Sequence, residues 1–237
     1  MEKEAVKLPL HIAIIPDGYR RWAKERGFKP WEGHEAGAEI FEQLIQAALK
    51  MGIGCLSLWG SSMDNLLKRP IAEKKALLDI YTRYFKRLLD GKEIYENEVK
   101  VNVIGHWEEQ FPESLKRTIY EIMDRTKHYK KKMLNFMLAY SGTDDMTFAI
   151  QKINDTYAPK TKITPEIIKE NLMTAALPAV DFMIRTGGEP HNSNGFLMWD
   201  TADAQLYFFQ GNFPDFNPDE FGKALEEYAR RGRRFGE

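Results

Sequence analysis

Short apolar runs of strand length alternate along this chain with stretches of helical periodicity, and that alternation leaves few folds open. The runs lie at 10–16, 55–59, 99–104, 134–140, 182–185 and 206–209. Between the first two, Ile40, Phe41, Leu44, Ile45, Ala48 and Leu49 recur at the three- and four-residue spacing of one helix face. A second helix is predicted over 71–89, with Leu77, Leu78, Tyr81, Tyr84, Phe85 and Leu88 as its apolar stripe. Others are predicted over 113–131, 144–155, 165–174 and 219–230, and Pro165 and Pro218 suit helix starts. Strands that alternate with helices pack as a mainly parallel sheet covered by helices. The expectation is therefore an α/β fold in a single domain, residues 1–237, with six strands. A chain of this length can bury a substantial core.

Composition removes several function classes. The net charge of −1 argues against nucleic acid as a partner. The one cysteine, Cys55, lies in an apolar run and reads as a buried structural thiol. Residues 1–9 are charged and lack the apolar stretch of a signal peptide, and no window approaches the roughly 20 apolar residues of a membrane span. A cytoplasmic protein is expected, with contact to a membrane surface left open. The run Lys130-Lys131-Lys132 reads as a solvated helix end.

The polar motifs cluster where strands end. Pro16-Asp17-Gly18-Tyr19-Arg20-Arg21-Trp22 follows the first run and delivers one carboxylate and two guanidiniums. Gly60-Ser61-Ser62-Met63-Asp64-Asn65 follows the second, Ser141-Gly142-Thr143-Asp144 the fourth, and Thr186-Gly187-Gly188-Glu189 the fifth, just after Arg185. In parallel α/β sheets ligands bind beyond the carboxyl ends of the strands, so these four segments are expected to share one cleft. Arginines, small hydroxyls and free backbone N–H groups suit phosphate oxygens, and an aspartate suits a hard cation. A magnesium-assisted diphosphate site is the reading that joins them. Taken singly, each piece has a plainer use, as a turn former, a surface charge or a satisfied polar histidine.

Other chemistries lack their signatures. No Gly-x-Gly-x-x-Gly opens a helix and no Walker-type Gly-Lys-Ser/Thr occurs. The five histidines show no zinc-ligand spacing, and no Gly-x-Ser-x-Gly elbow is present.

Together, residues 11–22, Gly33-His34-Glu35-Ala36-Gly37, residues 62–70 and 184–216, and Arg233-Arg234-Phe235-Gly236 resemble the cis-prenyltransferases of the undecaprenyl diphosphate synthase type. The resemblance spans nearly the whole chain. It implies a hydrophobic tunnel, a homodimer, prenyl diphosphate substrates and assistance by Mg²⁺. Asp17 would hold Mg²⁺, and Gly18, Tyr19, Arg20, Arg21 and Trp22 would surround the allylic diphosphate, with His34 near it. Ser62 and Arg69 would lie on the diphosphate side, and Asn65 near the reacting centre, where it would orient substrate or assist proton removal. Arg185, His191 and Ser193 would face the second diphosphate. Arg234 and Gly236 fit an Arg-x-Gly tail that reaches into the partner subunit's site. The apolar face of the 71–89 helix is open to two readings, tunnel wall or ordinary core.

Three departures from the family pattern stand out. Tyr19 occupies the place of the usual asparagine, and His191 that of a second arginine at the acceptor site. Gln205 replaces a glutamate of the metal site, so it offers an oxygen without a charge, and Asp203 lies close by in sequence. Cis head-to-tail elongation of an allylic diphosphate with isopentenyl diphosphate leads. Irregular coupling, with dimethylallyl diphosphate as acceptor, stands second. A non-catalytic partner subunit is disfavoured because Asp17, Arg21 and His34 are all retained. Product release would bring the enzyme to a lipid surface.

Overall fold

The computed structural model describes residues 8–231. Six strands form one sheet: β1 (His11–Ile15), β2 (Cys55–Trp59), β3 (Val99–Ile104), β4 (Lys132–Met137), β5 (Phe182–Arg185) and β6 (Gln205–Phe208). Their order is β3-β4-β2-β1-β5-β6, and every pairing is parallel. The helices are α1 (Tyr19–Glu25), α2 (Pro30–Met51), α3 (Met63–Lys68), α4 (Ile71–Asp90), α5 (Glu93–Glu96), α6 (Glu113–Thr126), α7 (Gly142–Thr156), α8 (Pro165–Asn171) and α9 (Pro218–Arg231). The six-stranded parallel architecture agrees with the expectation from alternation.

Helices cover both faces of the sheet, which is why the central strands are buried throughout and mostly apolar. All five residues of β1 and all five of β2 are buried. Alternate residues of β1 serve different layers: Ile12 and Ile14 join the larger core under α2, α4, α6 and α9, while Ala13 and Ile15 face a smaller core with Trp59, Tyr140 and Phe196. The edge strand β3 alternates between buried and half-buried positions.

A polar row runs through this interior. Asn102 Nδ2 donates to Asn135 Oδ1 at 2.7 Å, Asn135 Nδ2 to Ser57 Oγ at 3.0 Å, and Ser57 Oγ lies 2.8 Å from His11 Nε2. The other ring nitrogen of His11 faces the Pro178 carbonyl at 2.8 Å, so the neutral ring places its proton on Nδ1. Burial pushes the His11 pKa below its ordinary value. The unfolded chain then binds a proton near pH 6.5 that the folded chain refuses, so stability is full above that pH and falls as the solution is acidified. Urea denaturation at pH 7.5, 6.5 and 5.5 is expected to give a midpoint that declines below pH 6.5; a flat profile would contradict a buried neutral His11.

Several boundaries differ from the periodic reading. β4 runs over Lys132–Met137 rather than 134–140: it starts where Lys132 pairs with Val99, and it ends before Ala139, which takes a positive φ of 50°. The helix expected over 113–131 stops at Thr126, whose hydroxyl donates to Ile122 O and accepts the Val101 N–H. Lys132 is therefore not a helix end. It opens β4, and its ammonium donates to Leu49 O and Asn97 Oδ1. The short helices α1 and α3 lie outside the periodic reading, being too brief to show a period. Among the described residues no helix is long and apolar enough to cross a membrane.

Candidate active site

The site begins where β1 stops. Ile15 is in register with Arg185, so the ends of β1 and β5 lie side by side. The chain then turns through Gly18, whose φ is +102° and whose missing Cβ would stand 2.3 Å from Asn212 Oδ1. Only glycine fits both demands. The turn is pinned to the end of β5: the Asp17 N–H donates to Thr186 Oγ1 at 2.8 Å, and Thr186 Oγ1 donates to Asp17 O at 2.8 Å. The Gly18 N–H donates to Asp17 Oδ1 at 2.6 Å, which fixes the carboxylate. α1 starts at once and carries the arginines.

A polar cavity of about 670 Å³ opens over these strand ends. Asp17, Gly18, Tyr19, Arg20 and Arg21 line it from α1 and its turn. Ser62, Asn65 and Arg69 line it from the end of β2 and α3. Ser62 accepts the Asn65 N–H at 3.1 Å and so caps α3. His34 enters from α2, and Arg185, His191 and Ser193 enter from beyond β5. Residues more than 170 apart in sequence thus meet at one end of the sheet.

Four expectations are corrected or fall elsewhere. Trp22 does not line the cavity; one position on from Arg21 along α1, its Nε1 donates to Asp215 and Arg26 stacks on its ring. The segment after β4 also stays out. Ser141 caps α7 by accepting the Asp144 N–H, and Gly142 packs so closely on the Gly195 carbonyl that a Cβ would sit 1.8 Å from it. Gln205 opens β6 in register with Phe182, three residues before Phe208, the residue paired with Arg185. That places it roughly 10 Å back along the sheet from the cavity end. Arg234 and Gly236 lie outside the described residues.

Charge in the cavity is tightly organised. Arg185 is buried, with Nη2 at 3.0 Å from Asp17 Oδ2 and 3.2 Å from Glu189 Oε2, and Nη1 donating to His191 O. Arg21 donates to Gly187 O at 2.8 Å and to Glu189 Oε1 at 3.1 Å. Glu189 thus bridges the two guanidiniums from a half-exposed position, where an incoming phosphate would compete with it.

Glu73 is the buried charge beside the site that the motifs missed. It is 4% exposed, yet it takes a two-pronged pair from Arg20, with Oε1 at 3.0 Å from Nε and Oε2 at 2.9 Å from Nη2. His34 Nε2 lies 3.1 Å from Glu73 Oε1 and 3.2 Å from Arg69 Nη1. The hydrogen bond from His34, reinforced by Arg20 and Arg69, holds the Glu73 pKa down at about 2. Burial pushes the His34 pKa below its ordinary value, so the ring is neutral at pH 7 and adds to the acid sensitivity set by His11. Glu73 stands four residues after Arg69 and four before Leu77, on the apolar stripe of α4. A carboxylate on that face was the available signal.

A second, apolar cavity of about 270 Å³ lies between α2 and α4, with His34 at its edge. Phe41 and Ile45 line one side, and Leu77, Tyr81, Phe85 and Leu88 the other, with Leu138 from the sheet end. The stripe of α4 is therefore mostly cavity wall, while Leu78 packs on the core. The two cavities adjoin at Tyr19, His34 and Gly60. A charged head and an oily tail can be held at once.

The donor set also fits a hard cation bound with an anionic ligand. Among the described residues no three His, Cys, Asp or Glu side chains gather as a protein cage. The Asp17 carboxylate beside a phosphate-sized basic cavity suits Mg²⁺, which keeps waters and takes substrate oxygens.

Comparison with known proteins agrees with this geometry. The prenyltransferase family model described as "Putative undecaprenyl diphosphate synthase" matches residues 15–236. An isoprenyl transferase of Aquifex pyrophilus is 37% identical over 232 residues, 98% of this chain and 97% of that protein. The tritrans,polycis-undecaprenyl-diphosphate synthase (geranylgeranyl-diphosphate specific) of Pyrococcus abyssi (strain GE5 / Orsay) is 36% identical, over 97% of this chain and 87% of its own. The crystal structure of lavandulyl diphosphate synthase from Lavandula x intermedia, in complex with dimethylallyl diphosphate, superposes with a TM-score of 0.89 at 30% identity, covering 97% of this chain and 99% of that one. A diphosphate-sized basic cavity beside an apolar one, in a chain matched almost end to end, leads to one conclusion: the protein belongs to the cis-prenyltransferase (undecaprenyl diphosphate synthase) family of isoprenoid-transferring enzymes.

Proposed function

We propose that this chain joins an allylic prenyl diphosphate to isopentenyl diphosphate in cis head-to-tail fashion and releases pyrophosphate. The observation that carries this reading is the junction of the polar and apolar cavities at Tyr19, His34 and Gly60. The donor diphosphate would lie against Gly18, Arg20 and Arg21, and its tail would pass between α2 and α4. As the donor C1–O bond breaks, its electron pair leaves with pyrophosphate, and charge grows on the phosphate oxygens. The backbone N–H groups at the start of α1 and the Arg21 guanidinium would stabilise that charge. Mg²⁺ held by Asp17 and phosphate oxygens would add Lewis-acid stabilisation of the same charge. Arg69 sits over His34 on the donor side, and Asn65 at the cavity wall would orient the reacting carbons.

The acceptor diphosphate would take Arg185, Ser193 and His191. Its C4 carbon bonds to the donor C1, and loss of a C2 proton restores the double bond. Arg185 is held by Asp17 on the donor side, so one ion pair would link the two subsites. Homodimer assembly, with Arg234 and Gly236 supplied to the partner's pocket, belongs to the same proposal, as does a cytoplasmic location with the lipid product leaving toward a membrane.

A second reading is supported by His191. A 56%-exposed histidine stands where an acceptor-site arginine is expected, and the lavandulyl diphosphate synthase structure is a close neighbour. Irregular coupling would then use dimethylallyl diphosphate as acceptor. Incubation with labelled C5 acceptors and donors of several lengths, followed by mass and stereochemical analysis, separates the two. Incorporation of isopentenyl diphosphate into Z-configured products supports head-to-tail transfer; incorporation of dimethylallyl diphosphate alone supports the second reading. His191→Arg is expected to lower the KM for isopentenyl diphosphate about tenfold, the worth of one charge-assisted phosphate contact. An unchanged KM would mean that His191 does not face the acceptor.

A further inference from the structure

We propose that the Tyr19 ring is a size filter at the neck between the two cavities, favouring donors with short hydrocarbon tails. The inference rests on the prenyl-transfer reading above and adds a specificity determinant to it. Tyr19, His34 and Gly60 are the residues that both cavities share. A molecule with its head in one cavity and its tail in the other must pass between them.

The Tyr19 side of this neck is held in place. Gly33 and Gly37 lie one turn apart on α2, and Tyr19 docks on both. A Cβ at Gly37 would stand 2.1 Å from Tyr19 Cε1, and one at Gly33 would stand 2.2 Å from Tyr19 O. The ring therefore already occupies the groove into which it would have to retreat. His34 packs on it at 4.7 Å between centroids, and Phe213 meets it edge-on at 5.5 Å. The opposite wall is backbone. Gly60 has no side chain to rotate away, its N–H donates to Met137 O at 2.9 Å, and Tyr81 Oη donates to its carbonyl at 2.9 Å. Neither wall yields without breaking packing or a hydrogen bond.

The consequence for substrate follows from length. The C5 tail of dimethylallyl diphosphate ends near the neck, whereas the C20 tail of geranylgeranyl diphosphate must thread it. A side chain of asparagine size at position 19 would leave the passage wider.

The test is competition between these two donors with the full chain, Mg²⁺ and a fixed C5 acceptor, read as the C20-to-C5 ratio of kcat/KM. Tyr19→Asn is expected to raise that ratio at least about tenfold, the scale on which a pocket discriminates by size. Tyr19→Phe keeps the ring and should leave the ratio at its wild-type value. Gly60→Ala adds a Cβ on the apolar side of the neck, 2.4 Å from Leu138 and 3.1 Å from Tyr81 Oη, and should lower the ratio; the melting curve reports whether that crowding is tolerated. A ratio unmoved in folded Tyr19→Asn or in folded Gly60→Ala overturns the filter, as does Tyr19→Phe behaving like Tyr19→Asn. Wild-type protein inactive with every donor and acceptor would overturn the prenyl-transfer reading itself, and the filter with it.

Discussion

Asp17→Asn is expected to lower kcat at least about a thousandfold while leaving the KM of both diphosphates within a small factor. The two effects are separable because Asp17 faces two cations. Its Oδ2 lies 3.0 Å from Arg185 and its Oδ1 3.6 Å from Arg21. Removing the carboxylate charge leaves those guanidiniums more attractive to phosphate, so simple electrostatics would tighten substrate binding. A collapse of turnover without weaker binding therefore marks a group that acts on the departing charge. Asparagine keeps the shape of the turn and an oxygen for the Gly18 N–H, so a loss of fold is not expected. Steady-state kinetics with both substrates varied checks this. Unchanged kcat would remove Asp17 from the mechanism, and a raised KM alone would make it a binding residue.

Glu73→Ala is expected to damage both stability and turnover. Breaking a buried ion-pair network by removing one partner costs about 3–5 kcal/mol, because the remaining charges are left without compensation. The partly exposed Arg20 recovers some of this through water, so the low end applies. For a chain of this size that corresponds to a Tm lower by about 10 °C. Turnover should fall too, since Arg20, His34 and Arg69 lose the group that fixes them. The pH profile identifies the cause. With a folded pKa of about 2 against an ordinary 4.5, Glu73 contributes stability that is full above pH 4.5 and is lost as the pH falls toward 2. That portion of the acid sensitivity should be missing in Glu73→Ala. Equal acid profiles for the two proteins would show that Glu73 is not ionised in its network.

Much of the site was legible because parallel sheets concentrate ligands at strand ends. Asp17 and Ser62 follow strands and Arg185 ends one, and the register of β1 with β5 brings the first and last together. The rule over-reached at Ser141–Asp144, since position after a strand does not say where the chain turns next. There the positive φ of Ala139 and the close packing of Gly142 on Gly195 lead the segment toward α7. Trp22 misled for a simpler reason. Adjacent helix residues point about 100° apart, and Arg21 takes the cavity. Glu73 went unread because its partners Arg20 and His34 lie 53 and 39 residues away, and local spacing shows only its pair with Arg69. The tunnel was half legible: the α4 stripe has one pattern whether it faces a core or a cavity, and only the placement of α2 opposite it decides.

The central claim is that one molecule spans both cavities, and a crystal structure with an unreactive allylic thiolodiphosphate and Mg²⁺ tests it most directly. The account predicts a diphosphate against Asp17, Gly18 and Arg21, and a hydrocarbon tail running past Tyr19 and Gly60 between α2 and α4. A tail directed to solvent, or a diphosphate seated away from Asp17, would contradict it.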